Sequence, residues 1–406
     1  MTQHNQNFLQ LASIQAASSG IPAVLIGNHL AKTIGAGSAI ASILIANLIL
    51  WMIGMTIVSM ASSERVNAIE NTKRYLGKYG GLAAAVVMML AFTSWFVFQF
   101  HYFTDTYKQI APFNTPLDTG SILRIGAGFG MFCSLVAMGG IRLLKWYAVA
   151  LLPILLLYHL SAIYSSHKSV EFTVWMPSFS GVVSTMLLLL PGFVNLPTFF
   201  RHSHSREDSY LALILMTFIT SFFEISSIWM NISLDSLPPS LHSPFINGFT
   251  ICIIILATLS CNLLNIYFAS ACLEIFIPQF DSVKGYAIIG MLGTSAYTFI
   301  QITKTIEFLV DLTNAFIAIL GVVLLISFLI KLIVNHRPRI LEKTINGIAW
   351  LIGCLTSLAL QINSPDLGTK ALLGGVSATI LFYILVIFIE ETHWAWKHLY
   401  PSKSAE

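Results

Sequence analysis

Gln15-Ala16-Ala17-Ser18-Ser19-Gly20-Ile21-Pro22 interrupts an apolar run that otherwise extends from about residue 9 to 31. A run of roughly 20 apolar residues crosses a bilayer as one helix. Two hydroxyls, a glycine and a proline in its middle leave backbone groups without helical partners. In hydrocarbon such a break persists only where it is buried in protein or lines a cavity. The stretch therefore predicts a broken first membrane helix forming one wall of a solute site.

The rest of the chain agrees with a membrane setting. Of 406 residues, 56% are hydrophobic and 10% charged, against roughly 25% charged in soluble domains. The expected fold class is an all-α integral membrane protein, multi-pass in the cell (inner) membrane. Its partners are the lipid bilayer and a small-molecule solute. A net charge of +3 without a basic tail gives no reason to expect nucleic acid. The five cysteines (Cys133, Cys252, Cys261, Cys272 and Cys354) lie in apolar stretches at spacings that fit neither a disulfide framework nor zinc. The start, MTQHNQNFLQ, lacks a basic segment and a small-residue cleavage site, so the first span is expected to stay.

Apolar segments of spanning length number about twelve: 9–31, 38–60, 79–107, 122–139, 143–164, 179–200, 209–231, 247–276, 284–302, 306–332, 344–361 and 371–392. With the N-terminus placed in the cytoplasm, 15 of the 21 basic residues fall on the inner side and 6 on the outer. The inner set includes Arg65, Lys73, Arg74, Arg142, Arg201 and Arg337; the outer set is Lys32, Lys108, Arg124, Lys168, Lys304 and Lys370. That asymmetry places both termini in the cytoplasm.

A second Gly/Pro interruption, Pro191-Gly192-Phe193-Val194-Asn195-Leu196-Pro197, lies in the sixth span, five spans after the first. An odd offset gives two five-helix halves of opposite direction. Interrupted helices at matching places in inverted halves point to a transporter's binding site. The expected organisation is a first repeat over 1–164, a second over 165–333, and C-terminal helices with a tail over 334–406, with helices 1 and 6 broken.

Several runs carry a resemblance. Ile45-Ala46-Asn47-Leu48-Ile49-Leu50 resembles the second helix of cytosine permeases, and Trp95-Phe96 with Gln99 resembles the Trp-x-x-x-Gln pair of the hydantoin transporter. Asn195-Leu196-Pro197-Thr198-Phe199-Phe200-Arg201 is similar to the stretch closing the sixth helix. Ser260-Cys261-Asn262 with Tyr267, Ala269 and Ser270 is similar to the eighth, and Ile288-Ile289-Gly290-x-x-Gly293-Thr294 extends the match into the ninth. Together they resemble the nucleobase–cation symporter family of cytosine, purine and hydantoin permeases, which share the leucine-transporter fold.

Trp95 and Gln99, four apart, share a helix face. An indole offers a flat π surface and an amide offers donors and acceptors, which suits a planar polar heterocycle. Phe193 could cover the ring's other face. Ser18, Ser19, Gly20, Asn195 and Asn262 complete the expected solute-binding set. The resemblance also implies a sodium ion held by carbonyls near the first break and by hydroxyls on the eighth helix, here Ala16, Ser19, Ala257, Ser260 and Cys261. Sodium wants hard oxygen ligands, and Cys261 stands where the family usually has Thr. Proton coupling is the alternative, and no other cofactor is expected. The family's polar groups to a base edge read Phe92 and Ala257 here, so a cytosine-like binding mode is not expected.

Charge inside the spans is scarce, and each case is a functional hypothesis by default. Glu224 could carry a proton or be held by Ser221, Ser226 and Ser227. Asp311, Thr313 and Asn314 could line a thin gate, and Glu274 lies near a span end. His159 reads as a core histidine, and the loop from His202 to Asp208 as a solvated mixed-charge segment. A channel would need a continuous polar lining, and an enzyme would need paired intramembrane carboxylates, H-E-x-x-H or G-x-S-x-G, none of which occurs. The expected function is import of a nucleobase-like heterocycle with a cation by alternating access. The alternative is an amino-acid or other small-solute permease of the same fold.

Overall fold

A computed structural model describes residues 6–62, 65–110, 118–165, 174–234, 244–280, 282–303, 306–333, 342–363 and 368–399. Lys168, Lys304 and Arg337, which help to orient the chain, lie outside them. The first span is split into α1 (Phe8–Ser18) and α2 (Gly20–Ile34), which meet at a 53° bend. Then come α3 (Ala36–Ser62), α4 (Ala68–Ile110), α5 (Thr119–Ala137) and α6 (Gly140–Ser165). The sixth span is α7 (Phe179–Val194) with the short α8 (Leu196–Phe200), followed by α9 (Arg206–Leu234) and α10 (Pro244–Phe276). The last four are α11 (Ser282–Thr303), α12 (Ile306–Ile333), α13 (Lys343–Asn363) and α14 (Gly368–Leu399).

Every expected span is helical. Among the described residues, ten helices are long and apolar enough to cross a membrane, and the bent α1–α2 pair makes an eleventh. The exception, α11, carries Lys284, Tyr286, Thr294, Ser295, Tyr297 and Thr298. The third span, α4, begins earlier than its apolar stretch, where Asn67 and Glu70 cap each other's backbone N–H groups, at 2.7 and 3.0 Å. The chain then turns into the membrane at Gly77, whose φ of 77° suits a residue without Cβ.

The packing is reciprocal. The α1–α2 pair lies on α9 and α7 lies on α3; α1 lies on α6 and α7 on α12; α4 lies on α12 and α10 on α6. The pairs α4–α10 and α5–α11 close the arrangement. Exchanging each of the first five spans with its counterpart five spans later maps these contacts onto one another. The central helices α7, α9, α10 and α12 are far more buried than α14, whose Leu381, Ile384 and Phe388 remain exposed. In a bilayer, that outer apolar surface meets lipid tails.

Candidate solute site

The first break is shaped by its own hydroxyls. Ser18 Oγ donates to the Gln15 carbonyl and Ser19 Oγ to the Ala16 carbonyl, each at 2.8 Å. Ser19 Oγ also lies 3.3 Å from Thr220 Oγ1 on α9. Side chains that compete for backbone carbonyls bend helices, and Pro22 removes a further donor. The second interruption behaves differently. Helix α7 runs through Pro191 and Gly192, and only Asn195 separates it from α8. The α1–α2 pair is bent by 53° at its break, whereas Phe179–Phe200 counts as one span.

Between the two interruptions lies a cavity of about 100 Å³. Its polar lining comes from Gln15, Ser18 and Ser19, from Thr220, and from Cys261 and Asn265 on α10. Its apolar walls are Trp95 and Phe92 on α4, Pro191, Phe193 and Leu196 at the second interruption, and Phe268, with no charged side chain among them. Phe92 and Phe268 pack at 4.7 Å between ring centroids. A larger cavity of about 630 Å³ opens on the face away from the start of α1, where α2 ends and α7 and α12 begin. His29, Thr33, Ser180, Glu307 and Asp311 line it, and Trp95 and Leu188 are common to both cavities. Trp95 thus forms part of the partition between vestibule and inner cavity. Its Nε1 donates to Asn314 Oδ1 on α12 at 2.9 Å.

The opposite face is shut. Gln6 N donates to the His202 carbonyl (2.8 Å) and His204 N to the Gln6 carbonyl (2.9 Å), forming a parallel bridge, while Phe8 N donates to Asp208 Oδ1 (3.2 Å). Phe199 stacks on Tyr267 at 4.9 Å. The loop read as solvated is therefore tied to the first helix.

Of the expected solute-binding residues, Ser18, Ser19, Trp95 and Phe193 line the inner cavity, as does Cys261 from the expected ion set. Gly20, Gln99, Asn195 and Asn262 do not. Gln99 is fully buried, and its Nε2 donates to Cys261 Sγ. Asn195 Oδ1 accepts from Thr198 Oγ1 (2.9 Å), and Asn262 Oδ1 accepts from Asn265 Nδ2 (3.3 Å). Thr220 and Asn265 were not singled out, and Gln15 entered only as the first residue of the break, not as a binding residue. Each is one turn from a residue already singled out (Ser19, Glu224 and Cys261), so helical spacing was the signal that could have found them.

The ion wall is partly assembled. A Cβ on Gly20 would lie 3.7 Å from Ala257 Cβ, so the break does face α10 there. Ser260 Oγ is buried without a partner. Ser19 instead turns to Thr220, and Cys261 to Gln99. The Glu224 carboxylate is held by Asn47 rather than by the neighbouring serines, whose hydroxyls go to backbone carbonyls. His159 is a satisfied core residue, 2.5 Å from Ser226 Oγ and stacked on Phe223.

No family model and no curated protein matches the sequence. Solved structures match its fold. Mhp1, a nucleobase-cation-symport-1 family transporter closed with bromovinylhydantoin bound, aligns over 96% of this chain and 94% of its own at 15% identity and a TM-score of 0.64. A Na+-coupled sialic acid symporter in a substrate-bound outward-open state aligns over 95% and 90% at 14% identity and 0.66. A manganese transporter of Eremococcus coleocola aligns over 94% of both chains at 10% identity and 0.58. All three are transporters, and at these identities the likeness establishes the leucine-transporter-like fold of the chain.

Proposed function

We infer that the chain is a secondary transporter that carries a small, uncharged, planar heterocycle of the nucleobase or hydantoin type together with a cation. The observation that carries this reading is the partition at Trp95: one indole borders a polar-and-aromatic inner cavity on one side and an open vestibule on the other. Alternating access needs a site reachable from one face at a time, at the meeting of two opposed helix bundles. The reciprocal packing of the first and second five spans supports that arrangement, with repeats over 1–164 and 165–333 and both termini cytoplasmic.

The inner cavity favours the solute class. Ligand pockets for larger molecules run to roughly 300–1,000 Å³, so about 100 Å³ suits a single small ring. Aromatic walls offer stacking faces, and the amides of Gln15 and Asn265 can donate and accept along a ring edge. The absence of charged side chains in the lining favours a neutral solute over an amino acid. For the amino-acid alternative there remains the N-terminus of α2 at the break, where a carboxylate could sit.

A sodium ion between α1 and α10 would draw on Ala16, Ser19, Ala257, Ser260 and Cys261. Ser260 supports it, as a buried hydroxyl without a partner. Ser19 and Cys261 do not, because both are engaged elsewhere and a thiol is a poor ligand for a hard cation. The donor set in this arrangement fits sodium poorly. The direct test is uptake of labelled cytosine, hypoxanthine and hydantoin into proteoliposomes, with sodium and proton gradients imposed separately. Accumulation of one ring under one gradient is expected. No uptake of any of them under either gradient would sink the reading.

A further inference from the structure

Glu224 is fully buried on α9, within the membrane-spanning part of the chain. Its Oε2 accepts from Asn47 Nδ2 of α3 at 2.5 Å, and Oε1 has no partner. The same Asn47 nitrogen also donates to the Ile43 carbonyl at 3.1 Å, and Asn47 Oδ1 is likewise without a partner. The amide has two N–H bonds and both are committed. The pair therefore holds two unsatisfied acceptors and no remaining donor. One proton on the carboxyl supplies the missing donor and removes the buried charge, which is costly to leave uncompensated.

Nothing else nearby offers that compensation. Helix α9 packs on α1, α2, α3 and α6. Neither α1 nor α3 has a titratable side chain, and α2 brings His29 and Lys32 only towards the vestibule end. Helix α6 carries Arg142, Lys145 and Tyr147 in its first half and Tyr158, His159 and Tyr164 in its second; His159 approaches α9 but meets Ser226. Arg206, Glu207, Asp208 and Tyr210 sit in the opening turns of α9 itself. Among the described residues no ion pair involves Glu224.

Two contacts join the helix around Glu224 to the first span. Thr220, one turn earlier on α9, lines the solute cavity and meets Ser19 at the first break. Gly27 of α2 presses on the turn that carries Glu224: a Cβ there would fall 2.1 Å from the Glu224 carbonyl oxygen and 1.9 Å from Ser227 Oγ. Ser227 Oγ in turn donates to the Ala23 carbonyl of α2 at 3.2 Å. The bent half of the first span thus rests on the Glu224 turn.

We propose that Glu224 is the site of a co-transported proton: its carboxyl holds an O–H bond while α2 and α3 are packed on α9, and releases the proton to water when that packing opens. This rests on the transporter reading, and it assigns the coupling ion to α3 and α9 rather than to α1 and α10. Infrared difference spectra of the purified protein across pH steps are expected to show a protonated-carboxyl stretch. It should disappear in Glu224→Gln and shift in Asn47→Leu, which removes the amide partner, with both variants checked for monodispersity. Identical spectra for wild type and Glu224→Gln would overturn the proposal whatever solute is carried.

The second arm uses proteoliposomes and labelled hydantoin under an inside-alkaline gradient of one pH unit, which sustains about tenfold accumulation per coupled proton. Wild type is expected to approach that ratio, and Glu224→Gln to lose both accumulation and the pH dependence of uptake. Accumulation by Glu224→Gln equal to wild type overturns the proposal. If neither protein moves the solute while the infrared band is present and Glu224-dependent, the choice of solute fails and the proton site stands.

Discussion

The two interruptions look alike in sequence and differ in space. The first, at Ser19, bends its span by 53° and turns hydroxyls into the inner cavity. The second carries two prolines and a glycine, the stronger helix breakers, yet α7 continues through Pro191 and Gly192 to Val194, Pro197 sits in the opening turn of α8, and Asn195 between them does not line the cavity. A proline removes one backbone donor, and the helix can absorb that where neighbouring helices hold it. Consecutive hydroxyls act on the carbonyls themselves and give the first break a chemistry the second lacks. The first region supplies polar groups, and the second supplies Pro191, Phe193 and Leu196 as an apolar wall.

The largest expected effect tests how firmly the bent span is fixed. Gly27→Ala places a methyl group against Ser227 Oγ and the Glu224 carbonyl, at separations no packing tolerates. Overpacking of this kind costs about 1–3 kcal/mol, occasionally more, so thermal unfolding in detergent should fall well below wild type. An unchanged melting temperature would mean that α2 is not held on α9. Next comes Trp95→Ala, which removes the partition and leaves Asn314 Oδ1 without its donor. Solute affinity, measured by equilibrium binding, should weaken about tenfold, or roughly 1.4 kcal/mol. Trp95→Phe, which keeps a ring, should lose less, and equal losses would assign the effect to the Asn314 bond alone.

Asn195→Ala should cost about 1 kcal/mol of stability through the lost Thr198 bond and leave solute affinity unchanged. A drop in affinity would show that the second interruption contributes polar contacts after all. The smallest effect is expected for Gly192→Ala, where no atom lies within 4 Å of an added Cβ. Thermal unfolding should stay close to wild type, and any change in uptake would come from the methyl group added to the cavity lining that includes Gly192.

The spans were legible because length and apolarity are strong signals, and the position of the first break was legible because its residue types are rare mid-membrane. The short capped helix before Gly77 was not, since Asn71, Thr72, Lys73 and Arg74 hide it from any apolar count. Around the site, sequence spacing identified a helix face but not its depth. Gln99 shares a face with Trp95, yet its amide ends against Cys261 instead of in the cavity. Asn262 and Asn265 are indistinguishable by type, and only the packing of α10 decides that Asn265 lines the cavity. The Asn47–Glu224 pair, separated by 177 positions, joins two residues that were each noticed for unrelated reasons.

The bridge between Gln6 and Ser203 has a consequence for the balance of conformers. Opening that face must break the hydrogen bonds from Gln6, His204 and Phe8. At about 1 kcal/mol net for each, they favour the shut form by roughly 3 kcal/mol relative to a chain lacking them. The first turn of the chain is then a brake on the resting distribution. Removing residues 1–6 should raise cysteine-labelling rates at positions introduced along the shut face. Unchanged rates would place the brake elsewhere.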